Sequence, residues 1–154
     1  MTAPPAPPSA PHTPASTALR PALGLLAGLG VTVLVVGFGV TVTTLAALRG
    51  EDPKSYVAPG WTYPTHLAIS ALGSLAGGFT TARVTAGRSL YTVLLLALIL
   101  LMSVAGPLLR GQRGAPGHAT WYPIALAVVA PLGVIAGGVL ERRRERVRQA
   151  PPSR

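Results

Sequence analysis

At 154 residues the chain has room for one domain. It is 49% hydrophobic and only 11% charged, less than half of the roughly 25% charge usual in soluble domains. It contains no cysteine, which excludes disulfides, thiolate nucleophiles and thiolate metal sites. A net charge of +9 at neutral pH does not indicate nucleic acid, because the basic residues sit between and after long apolar blocks and no nucleic-acid reading module accompanies them.

Residues 1–19 form a Pro/Ala-rich segment with no acidic residue. It carries too little apolar side-chain surface to fold and is predicted to be a disordered cytoplasmic arm, with His12 simply solvated. Residues 20–142 contain four apolar blocks at about 21–48, 64–82, 89–109 and 123–140. Each approaches or exceeds the ~20 residues a helix needs to cross a ~30 Å hydrocarbon layer. Charged amphipathic faces do not alternate with them, as they would around a soluble core. The expected fold is therefore an all-α membrane protein with four transmembrane helices.

The first block is nearly twice the ~7–15 residue apolar core of a secretory signal and reads as an uncleaved span. Its five glycines allow close helix approach, and Thr32, Thr41, Thr43 and Thr44 satisfy themselves on their own helix as ordinary filler. The following loop holds Glu51 and Asp52, a solvated turn before Pro53.

The second block opens with Trp61 and Tyr63, whose amphipathic rings suit a membrane interface. Pro64 suits a first turn, where its missing N–H has no partner to lose. Helical spacing from His66 places Ser70, Gly73, Ser74, Gly77 and Thr81 on one stripe, expected to face protein rather than lipid. His66 reads as the one ionisable side chain within a span. With Ser70 on its face it is a candidate polar site, for a proton relay or a metal, or, more simply, a hydrogen bond to a neighbouring helix. No second histidine or carboxylate at ligand spacing completes a metal or catalytic constellation, so neither a cofactor nor an enzyme is expected.

The third block is the most uniformly apolar and is expected to expose the most surface to lipid. His118 follows in the next loop, as a plain loop histidine. The fourth block carries Pro131, which removes the helix bond to the carbonyl of Ala127 and is expected to kink the helix.

The second and fourth blocks repeat one another. At an offset of sixty positions Trp61, Leu72, Gly73, Ala76, Gly77, Gly78 and Arg83 meet Trp121, Leu132, Gly133, Ala136, Gly137, Gly138 and Arg143. Two spans per copy give parallel orientation, so the blocks read as two tandem helical hairpins in a parallel 2+2 repeat. Gly73, Gly77, Gly78, Gly133, Gly137 and Gly138 are the expected helix-packing positions, with the second and fourth spans meeting at the centre and the first and third outside.

With four spans, nine of the thirteen basic residues fall on the side of the termini. That predicts a multi-pass protein with both termini cytoplasmic. Residues 143–154 form a basic tail, and Arg142, Arg143, Arg144, Arg146 and Arg148 are expected to meet anionic lipid at about 1 kcal/mol each.

Two short motifs carry a resemblance: Gly77-Gly78 followed by Ala82-Arg83, and Trp121-Tyr122-Pro123 opening the last span. They resemble a loose group of small bacterial four-span membrane proteins with a Gly-Gly-x-x-x-Ala-Arg end to the second helix and a Trp-Tyr-Pro start to the last. The resemblance implies this architecture and an inner-membrane location, with no assigned activity. The leading functional expectation is a non-enzymatic scaffold or accessory subunit, packing through glycine-rich faces as a homo-oligomer or within a larger membrane complex. It rests on small-residue stripes and an absence of buried charge. The alternative is a small oligomeric transporter or channel for a neutral solute.

Overall fold

A computed structural model describes residues 14–48, 59–85, 89–109 and 121–149. Side chains are described within 19–48, 59–85, 90–103 and 121–149. The expectations for residues 1–13, for Glu51 and Asp52, for the 86–88 turn, for His118 and for residues 150–154 fall outside that set.

The described residues form four helices and no strand: α1 (Pro14–Leu48), α2 (Thr62–Val84), α3 (Ser89–Leu109) and α4 (Trp121–Gln149). Each apolar block of the sequence lies inside one helix. α1 begins at Pro14, inside the segment expected to be an extended arm, and runs through Pro21. Proline suits a first helical turn, which explains the start. α2 is seated by Thr62, whose backbone N–H (3.0 Å) and hydroxyl (2.7 Å) both donate to the Pro59 carbonyl. It ends at Thr85, whose N–H and hydroxyl both donate to Thr81 O, at 3.1 and 2.8 Å. α4 continues through Pro131 and through the arginines beyond the apolar block.

Two helices, α1 over Leu19–Leu48 and α4, are long and apolar enough to cross a membrane. α2 is diluted by its own hydroxyls and glycines.

α2 is the hub. It packs along α1 on one side and along α4 on the other, while α1 and α4 do not touch among the described residues. α3 lies chiefly on α4 and closes over α2 and α1. The α1–α2 pair is antiparallel in a four-residue register: Gly24 meets Thr85, Gly28 meets Thr81, Thr32 meets Gly77, Val36 meets Gly73, and Gly39 meets Ile69. The α2–α4 pair is parallel. Gly78 lies on the backbone of Val134, Gly133 on Ser74 and the Ala71 carbonyl, and Gly137 on Leu75 O and Phe79 N. All these pairs fall within four positions of the sixty-residue offset.

Two packing expectations need correction. Gly73 and Gly77 were assigned to the contact with the fourth helix, yet both face α1, and it is Gly78 that faces α4. Small residues at 73, 74, 77, 78 and 81 cover more than one face of a helix turning 100° per residue, so α2 has two close-approach faces rather than one. The copies also use their glycine pairs in opposite order. Gly77 meets its hairpin partner and Gly78 the other copy, whereas Gly137 meets the other copy and Gly138 meets Val93 of its hairpin partner.

The second correction concerns α3. It supplies Val93, Leu96 and Ala97 to a core completed by Ala82 and Val134, and α1, only 11% buried over its most apolar window, is the exposed helix. Uniform hydropathy does not show which side of a helix is covered.

Candidate functional site

The interior of the bundle is more polar than its composition suggests. Among the described residues eight buried ones are polar or charged against six that are hydrophobic, glycines aside, so the hydroxyls are concentrated where helices meet. On α2 these are Thr62, Ser70, Ser74, Thr81 and Thr85, with Thr32 from α1, Thr92 from α3 and Glu141 from α4. Outside the Val93, Leu96 and Val134 core, many large apolar side chains point outward: Leu34 is 72% exposed, Phe38 75% and Leu72 65%.

Most helix hydroxyls are satisfied on their own turn. Thr32 donates to Gly28 O (2.9 Å), Thr41 to Gly37 O (2.7 Å), Thr43 to Gly39 O (2.7 Å) and Thr80 to Ala76 O (2.8 Å). Thr81 breaks the pattern. It is fully buried against Gly28, and its Oγ1 has no hydrogen-bond partner. Two other buried side-chain atoms share that condition among the described residues, His66 Nε2 and Glu141 Oε2.

Glu141 overturns a sequence expectation. It was placed beyond the last span, and the chain was taken to bury no charge; in the structure it is 4% exposed. The cause is register. Ala130, Val134, Gly137 and Gly138 form the buried stripe of α4, and Glu141 continues that stripe one turn further. Val134 stands on Gly78, and seven residues along each of these parallel helices come Glu141 and Thr85, back on the same faces. The repeat offered a signal, since Glu141 is the sixty-residue counterpart of Thr81.

His66 is half-buried in the first third of α2, and Ser70 lies one turn on at 4% exposure. His66 Nε2 receives no hydrogen bond, from Ser70 or any other group, so the pair does not form a base–nucleophile couple. Above them Tyr63 joins α2 to α4, with ring centroids 6.2 Å from Trp121 and 5.4 Å from Tyr122.

At the other end Arg142 is half-buried, while Arg143, Arg144, Arg146 and Arg148 are exposed on the α4 extension. Arg142 also borders a shallow groove formed by Leu90, Val93 and Leu94 of α3 with Ile135, Gly138 and Val139 of α4. Among the described residues no three His, Asp or Glu side chains gather as metal ligands would.

No protein-family model, curated protein or solved structure matches the chain.

Proposed function

We propose that the chain is an integral membrane protein of the bacterial inner membrane, with four spans in two tandem hairpins and both termini cytoplasmic. Its role is the non-enzymatic passage of a small solute or ion through the hydroxyl-lined interior. The observation that carries this reading is the distribution of polarity: hydroxyls and a carboxylate share the interior with Val93, Leu96 and Val134, while many other leucines and valines and Phe38 cover the outside. In water that arrangement is unfavourable; between lipid tails it is the stable one, because helix association there depends on close backbone approach and interior polar groups. Glycine contacts such as Gly28 on Gly77 and Gly137 on Leu75 O serve that association within one chain. The basic residues of the α4 extension meet anionic headgroups of the cytoplasmic leaflet.

The test is reconstitution. Carbonate-washed membranes should retain the protein, and proteoliposomes should pass small polyols or ions faster than protein-free vesicles. Ser70→Ala and Ser74→Ala should slow the flux. Retention without any flux would remove the transport reading.

A second reading, the scaffold or accessory subunit, keeps one specific support. Gly30 and Gly37 of α1 face open space, and Gly37 with Thr41 repeats the Gly-x-x-x-Thr unit that Gly28 and Thr32 use against α2. Native mass spectrometry in mild detergent separates the two readings, since an isolated monomer at all concentrations counts against the scaffold.

A further inference from the structure

The three unpartnered buried atoms lie on two helices that touch, and they mark the two ends and the inner half of one line of polar groups. Along α2 the line starts at His66 and steps to Ser70 and Ser74. At Gly77, which has no side chain to offer, the hydroxyl of Thr32 from α1 occupies the space where a Cβ would stand. Thr81 and Thr85 follow, with Glu141 of α4 level with Thr85. At 1.5 Å of rise per residue, each step is about 4.5–6 Å. A water that enters only transiently, accepting from one group and donating to the next, spans about 5.5 Å.

We propose that this line is a proton path, with His66 as the outer station and Glu141 as the inner one. The proposal rests on the membrane-spanning reading above and narrows the passing species from a small solute or ion to the proton. Packing makes that choice. Ser74 is 1% exposed, and Thr81, Leu96 and Val134 are 0% exposed. A polyol would need a lumen through these groups, while a proton needs only hydrogen bonds formed in turn, for which the Thr32 and Thr85 hydroxyls must rotate away from the Gly28 and Thr81 carbonyls they donate to. Histidine and carboxylate side chains within spans are the usual stations of such relays. Balance is simple: a proton bound at one station from water on that side is released from the other station to water on the opposite side, and one positive charge crosses per event. The other charged groups within about a turn of the inner station along the packed helices are Arg142, Arg143, Arg144 and Glu145 on α4, Arg83 on α2, and Arg20 on α1, one turn before the Gly24 that meets Thr85.

The test uses the full chain in proteoliposomes holding a pH-sensitive dye, with a potassium gradient and valinomycin to drive proton entry. The native protein should acidify the lumen faster than protein-free vesicles. Glu141→Gln and His66→Gln should each return the rate to the protein-free level. Thr81→Val, which keeps shape and removes only the hydroxyl, should also slow it, and Ser103→Ala, at an exposed hydroxyl of α3 outside the line, should not. Thermal unfolding of each variant in detergent separates loss of path from loss of fold, with Thr81→Val as the substitution that preserves packing. Native protein that is protease-protected in the bilayer yet no faster than empty vesicles overturns the proton path. If polyols still pass, the general transport reading survives without it. Unchanged rates in folded Glu141→Gln and His66→Gln also overturn the proposal. Protein that fails to insert overturns the membrane reading itself.

Discussion

A Cβ added at Gly78 would meet the carbonyl, carbonyl carbon and Cα of Val134, and one at Gly137 would meet Leu75 O and Phe79 N. These are backbone atoms, and they move only if two helices separate. A Cβ at Gly39 would meet the Cγ2 methyl of Ile69, a side chain rather than backbone, though a β-branched one with little χ1 freedom in a helix. A Cβ at Gly30 or Gly37 would meet nothing within 4 Å. The expected order of damage by alanine is therefore Gly78 and Gly137 first, Gly28 and Gly77 next, and Gly39 last. Overpacking at the first pair should cost about 1–3 kcal/mol or more. Gly30→Ala and Gly37→Ala should instead gain about 0.5–1 kcal/mol, because a glycine in open helix carries only an entropic penalty. Thermal unfolding midpoints in one detergent check the series, and equal losses at Gly37 and Gly78 would contradict the packing described. If Gly37→Ala leaves stability intact but dissolves an oligomer, the scaffold reading gains directly.

Among the polar residues, Thr32 and Thr81 form a matched pair. Each lies against the other helix's glycine, but Thr32 donates to Gly28 O and Thr81 donates to nothing. Replacing a bonded hydroxyl removes about 1 kcal/mol, while replacing a buried orphan by a methyl is neutral or stabilising. Thr81→Val should thus unfold no earlier than the native chain, and Thr32→Val should unfold earlier. A Thr81→Val loss larger than that of Thr32→Val would mean that the orphan hydroxyl has a partner.

At the scale of elements, the sequence showed where each helix lies and which residues permit close approach, because block length and glycine spacing are local properties. It did not show which helix arrives at which face. α2 carries small residues on two sides, and only the three-dimensional arrangement decides that Gly73 and Gly77 receive α1 while Gly78 receives α4. Glu141 was missed for a related reason. It lies one residue past the hydrophobic block, where composition reads as water, yet α4 does not end there and its buried stripe carries the carboxylate inward. His66 and Ser70 stand out in the sequence because they interrupt an apolar run, and the structure buries Ser70 and half-buries His66 without joining them.

The α4 extension makes an element-scale prediction. Arg143, Arg144, Arg146 and Arg148 are exposed, and at about 1 kcal/mol each their removal should weaken association with anionic lipid by on the order of a thousandfold. Native mass spectrometry from nanodiscs containing anionic lipid should show fewer retained lipids for the four-glutamine variant. Added salt should erase the difference, since the attraction is screened. Retention that is unchanged by both would assign lipid binding to the groove beside Arg142 instead.

For the molecule as a whole, the deciding question is whether α2 and α3 cross the bilayer along with α1 and α4. Helix–helix contact alone does not answer it, but sidedness does. If all four helices cross, Ser55 and Ala86 fall on opposite sides; if only α1 and α4 cross, everything between them falls on one side. The chain has no cysteine, so a single introduced thiol reports one position without background. Ser9→Cys, Ser55→Cys, Ala86→Cys and Ser153→Cys, probed in intact cells with a membrane-impermeant maleimide, should give labelling only at residue 55. That expected pattern follows from the bias of basic residues toward the termini and residues 83–88. Labelling at both 55 and 86 would reduce the spans to two and place the hydroxyl line of α2 outside the membrane, where it would have no barrier to carry anything across.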